Sequence, residues 1–164
     1  MAVESVSPAI FEQFLDAAQR AIATQDLAAQ GEGAVPVLTA LFDGTAKNRF
    51  GIPYRQLGIP LDCALVAAAR LGPIAIPLEP HLRAEVLSGH PYASSALAAL
   101  GVLQDGSVAV LASQLDADHL LAAEAASALV RTGNTLHVAV KAATTRSTRA
   151  EAAIQRAEKY GRHL

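Results

Sequence analysis

Three stretches of this chain are variants of one another at a fixed spacing. "CALVAAARLG" (63–72), "YASSALAALG" (92–101) and "LAAEAASALV" (121–130) align at an offset of 29 residues both times. Ala64, Ala93 and Ala122 coincide, as do Ala67, Ala96 and Ala125, and then Leu71, Leu100 and Leu129. These positions fall three and four residues apart, which is one face of a helix. The same offset matches Leu82 with Leu111 and Val140, and Val86 with Leu115. Each unit therefore predicts an Ala-rich first helix, a short turn and a second amphipathic helix. Such a unit cannot bury its apolar stripe alone, so successive copies must cover one another. The repeat predicts an all-α chain, an α-solenoid of antiparallel helix pairs. Punctuation agrees: Pro60 and Pro91 suit first turns, Asp118 suits an N-cap, and Gly72, Gly89 and Gly101 suit helix ends.

The 164 residues are enough for one domain, 1–164, with a core of its own. Hydrophobic residues make up 52% but aromatics only 4%, a balance that favours closely packed helices over a thick sheet sandwich. Asp118, Leu121, Ala125-Ala126 and Ala128-Leu129 set a pattern that Tyr92, Ala96 and Ala99-Leu100-Gly101 match one unit earlier. It resembles the short HEAT-like repeats found in bacterial phycobilin-lyase relatives, over roughly residues 60–140. The resemblance implies a HEAT-like superhelix and says little of function, because its motif is mostly small and apolar. Where such repeats often carry an arginine early in the first helix, this chain has Ala93 and Ala122. A polar ladder between repeats is therefore not expected.

Upstream, "GAVPVLTALFDG" reads as another second helix: matching Gly44 to Gly89 pairs Val37 with Leu82 and Leu41 with Val86. Its partner would lie within 8–29, capped by Ser7 with Pro8 in the first turn, and with Phe11, Phe14, Leu15 and Ala18 on its apolar face. Residues 43–59 then stand out as an insertion loop. Lys47, Arg49 and Arg55 fall there beside Phe50 and Tyr54, with no acid between 44 and 60. Arg and Tyr anchor interfaces, so Lys47, Arg49, Phe50, Tyr54 and Arg55 are expected to project and bind a partner. His81 and Arg83 would join them from the inner helix layer. On the competing reading the two rings pack back against Val37 and Leu41. At the other end, residues 148–162 read as a capping helix. Thr148-x-x-Glu151 forms a capping box, Ala150, Ile154, Ala157 and Tyr160 a thin apolar stripe, and Arg149, Arg156 and Lys159 its outer face.

Residues 1–140 hold 7 Lys/Arg against 13 Asp/Glu, whereas 141–164 hold 6 against 2. An acidic body of this kind is a poor nucleic-acid clamp. The N-terminus lacks a cationic n-region, and Arg70, Pro73 and Pro77 interrupt the longest apolar runs. No signal peptide, spanning helix or membrane partner is expected, and the cytoplasm is the expected compartment. Cys63 reads as a buried, inert thiol. His90 and His119 sit 29 apart, on stacked helices too far separated to share a metal ion. No metal, cofactor, P-loop or nucleophile motif is expected, and so no catalytic residue. Glu79–Arg83 and His81–Glu85 have the spacing of surface pairs on a helix. The expected function is a non-enzymatic protein–protein interaction module, an adaptor or an immunity-type inhibitor. The alternative is a small lyase, isomerase or carrier that holds a bulky apolar molecule between the N-terminal helices and the insertion.

Overall fold

A computed structural model describes residues 9–161, and among them the chain is all α-helical, joined by turns and short 3-10 segments. The helices are α1 (Ala9–Leu15), α2 (Arg20–Ala29), α3 (Ala34–Phe42), α4 (Ile59–Leu71) and α5 (Glu79–Leu87). They continue as α6 (Ala93–Ala99), α7 (Asp105–Ser113), α8 (His119–Arg131), α9 (Val138–Arg146) and α10 (Thr148–Gly161). Packing sorts most of them into two rows. In one, α2, α4, α6, α8 and α10 each touch the next; in the other, α5 touches α7 and α7 touches α9. The rows meet where α5 packs on α6, α7 on α8 and α9 on α10.

The periodic positions explain why the rows close up. Ala67, Ala96 and Ala125 are completely buried, and Ala64, Ala93, Ala122, Leu71, Leu100 and Leu129 are buried beside them. In the second row Leu82, Leu111 and Val140 are completely buried. Alanine at the contacts brings helices together, while the leucines contribute roughly 1.5–3 kcal/mol each by leaving water. Ile154 of α10, one further period beyond Ala125, is buried too.

Local chemistry corrects several expectations. The first helix is two. Asp16 accepts hydrogen bonds from the Ala18 amide (2.9 Å) and the Gln19 side chain (2.8 Å), stabilising a turn in place of continued helix. Arg20 Nε then donates to the freed Phe14 carbonyl at 2.8 Å. Phe11 and Phe14 are buried as expected, but the break turns Leu15 and Ala18 outward, and Ala23 and Leu27 of α2 fill the core instead. Ser7 and Pro8 lie outside the described residues. Pro60 occupies the first turn of α4, whereas Pro91 stays outside α6, because Tyr92 adopts a left-handed conformation (φ 71°) between them. Asp118 caps α8 by accepting from the Leu121 amide at 3.2 Å. The cap of α10 is Ser147, not Thr148: its extended backbone (φ −134°) aims the hydroxyl at the Ala150 amide, 3.2 Å away.

The prolines at 73 and 77 do not interrupt helicity between Ile59 and Leu87, because a 3-10 segment, Gly72–Leu78, carries them between α4 and α5. By length and composition this run is apolar enough to cross a bilayer, and half of its most apolar stretch is buried inside the fold. Gly72, at φ 59°, ends the α-geometry of α4 within it. Cys63 is buried on α4, and burial pushes its thiol pKa up while a hydrogen bond with Thr24 of α2 pulls the other way.

Candidate interaction site

The segment between α3 and α4 is a small, internally bonded hairpin. At its entry Asp43 accepts from the Thr45 hydroxyl (2.6 Å) and amide (2.9 Å), which together hold its carboxyl below the usual aspartate range. The Ala46 amide returns to the Ala40 carbonyl at 2.9 Å, and Tyr54 N donates to Ala46 O at 3.1 Å. Lys47 and Pro53 form an antiparallel bridge. Asn48 organises the tip: its side-chain oxygen accepts from the amides of Phe50 (2.9 Å) and Ile52 (3.0 Å). Its own amide donates to Ile52 O, and its carbonyl accepts from Gly51 N. Gly51 sits at φ 76°, where a side chain would be strained. The outcome is a fixed tip with Lys47 and Arg49 exposed, Phe50 71% exposed and Ile52 41% exposed. The Arg49 guanidinium lies 4.7 Å from the centre of the Phe50 ring, a cation–π contact.

The base of the hairpin belongs to the core. Tyr54, expected to be accessible, is buried: its ring packs 5.3 Å from that of Phe11, and its hydroxyl donates to Glu12 at 2.6 Å. Burial, helped by that hydrogen bond, pushes the phenol pKa up to about 12. Arg55 donates to the Phe42 carbonyl and to Glu85 Oε1, the latter at 2.6 Å. His81 stacks on the Phe42 ring at 6.0 Å between centroids. The Phe11 and Tyr54 rings thus join α1 to the base of the hairpin.

Arg83 faces α7 instead, donating to Ser107 Oγ (3.0 Å) and Gln104 Oε1 (2.6 Å). It approaches over Gly106, where an added Cβ would come within 2.9 Å of its guanidinium. The expected surface pairs Glu79–Arg83 and His81–Glu85 do not form. Both carboxylates lie on the face of α5 that carries Leu82 and Val86, and both are buried. Glu79 accepts from the Gln104 amide (2.8 Å) and Ser107 Oγ (2.7 Å) at the start of α7, while Glu85 takes Arg55. The relation recurs one helix on, where Asp105, the first residue of α7, meets His137, the N-cap of α9, at 3.0 Å. His137 Nδ1 accepts from the Ala139 amide, so Nε2 carries the proton that Asp105 accepts. A polar ladder therefore exists, but in the second row of helices.

Of the seven residues expected to bind a partner, the structure places Lys47, Arg49 and Phe50 together on the tip. Arg55 and His81 gather around Phe42, Tyr54 is core, and Arg83 is committed to α7. Ile52, whose exposure was not anticipated, joins the tip, and the sequence signal for it was the Asn48–Gly51 turn. Among the described residues no cluster of three or more His, Cys, Asp or Glu could hold a metal ion. His90 pairs instead with Asp62 at 3.2 Å. Comparison with family models, with curated proteins and with solved structures gave no match.

Proposed function

We propose that this chain is a short HEAT-like α-solenoid that works as a protein–protein interaction module, an adaptor or an immunity-type inhibitor. The solenoid reading is supported by the two rows of touching helices and by the burial of Ala64, Ala67, Leu71 and Leu82 together with their counterparts at the 29-residue offset. The observation that carries the functional reading is the hairpin tip. A phenylalanine, an isoleucine and two cations are held in water by hydrogen bonds within the tip itself. Ordering such groups in advance removes part of the entropy cost of association, and an exposed aromatic beside an arginine is the composition of a binding hot spot. Tyr54 and Arg55 act beneath it by fixing the hairpin to α1, α3 and α5, and His81 stacks on the Phe42 ring beside them.

Capture from a native lysate tests this, with wild-type protein compared against Arg49→Ala and Phe50→Ala. A partner retained by wild type and weakened at least tenfold by either substitution, with melting temperature unchanged, is the expected result. Equal capture by all three proteins would make the tip a passive loop.

A further inference from the structure

A second surface lies along the last helix. Residues His119, Arg149 and Ala152 meet at one end of the α8–α10 contact, and Val130 lies beside Gly161 at the other, so the two helices run in the same direction. Between them runs a groove of about 450 Å3, with Ala123, Val130, Ala153 and Ala157 along it and Arg131 and Arg156 at its edges. It adjoins a depression of about 230 Å3 that shares His119 and Arg156 and adds Arg149. No carboxylate lines either hollow. Arg149 is already engaged, donating to the Ala117 carbonyl at 3.0 Å with Asp116 at 3.9 Å. Arg131 and Arg156, by contrast, make no hydrogen bond or ion pair among the described residues, and Tyr160 beside them is 66% exposed.

Small side chains flanked by two uncompensated guanidinium groups define the chemistry of an occupant. An alanine-rich surface admits a helix backbone closely, as Ala67, Ala96 and Ala125 do where α4, α6 and α8 pack together. The arginines favour carboxylates, for which their planar forks are shaped. We propose that the α8–α10 groove binds an acidic amphipathic helix of a partner protein. Its apolar stripe lies on Ala123, Val130 and Ala157, and its carboxylates meet Arg131 and Arg156. The site is separate from the hairpin tip and shares no residue with it.

The test uses the full chain and a fluorescently labelled synthetic peptide of leucine and glutamate at helical spacing, beside the same peptide with glutamine for glutamate. The wild type should bind the glutamate peptide at least tenfold more tightly than the glutamine peptide, and the preference should shrink as salt rises. Arg131→Glu and Arg156→Glu should each reduce affinity for the glutamate peptide at least tenfold. Neither residue has a partner among the described residues, so melting temperatures should hold, and Tyr160→Ala provides a neutral variant that should also weaken binding. Phe50→Ala should leave peptide affinity unchanged, which separates this site from the hairpin. Equal binding of the two peptides, or unchanged affinity in both arginine variants, would overturn the proposal. So would sedimentation showing that an Arg156-dependent contact is with a second copy of the chain.

Discussion

Phe50 and Tyr54 stand four residues apart and face opposite environments, one 71% exposed and the other 4%. Tyr54→Ala should cost about 3–5 kcal/mol in a urea melt, because it empties an aromatic site packed on Phe11. Tyr54→Phe, which keeps the ring and drops the bond to Glu12, should cost about 0.5–1.5 kcal/mol. Phe50→Ala should stay within about 0.5 kcal/mol of wild type. Glu124 makes a pH-dependent case. One of its carboxylate oxygens is buried with no hydrogen-bond partner among the described residues. Burial raises its pKa, with the Asp118 charge adding and the Tyr92 amide and His90 opposing. A carboxyl raised in the folded state favours folding while it stays protonated, and that contribution fades as pH rises from the unfolded value through the folded one. Glu124→Gln should therefore raise the melting temperature at neutral pH, and the gain should vanish below about pH 4, near the unfolded value. A pH-independent difference between the two proteins would show that ionisation is not the cause.

At the scale of elements, α10 offers the clearest contrast between faces. Ile154→Asp puts a charge into the contact with α8 and should lower the melting temperature sharply, whereas Arg156→Ala on the outer face should move it little. Equal losses would mean that α10 packs by another face. What could be read in advance followed the physics of repetition. Ala67, Ala96 and Ala125 are each buried on a helix that touches the next in its row, so helix identity and buried face were legible from spacing alone. Elements set by one side chain were less so. Asp16 splits the first helix by bonding back to the chain, and Ser147 takes the cap from Thr148 because its backbone, one residue earlier, is the one left extended. The hairpin was legible as an interruption but not in its partition. Whether an aromatic ring points inward depends on Phe11, more than forty residues away, which local pattern does not encode.

For the molecule as a whole, the narrowness of the contacts between helices is the governing property. Ala96→Leu adds three heavy atoms where α6 meets both α4 and α8, and should cost about 1–3 kcal/mol by overpacking. Circular dichroism melts would check it, and an unchanged midpoint would show slack between the helices. The second row has contacts of its own: buried Glu79 bonds to the start of α7, and exposed Asp105 meets His137 at the start of α9. Cys63 brings the same packing within reach of a clock. It is the chain's one thiol, buried on α4, which packs against α2. An alkylating reagent therefore reaches it only when those two helices part. Its rate of modification, compared with that of a free thiol, measures how often the N-terminal end of the fold breathes without any label being engineered into it.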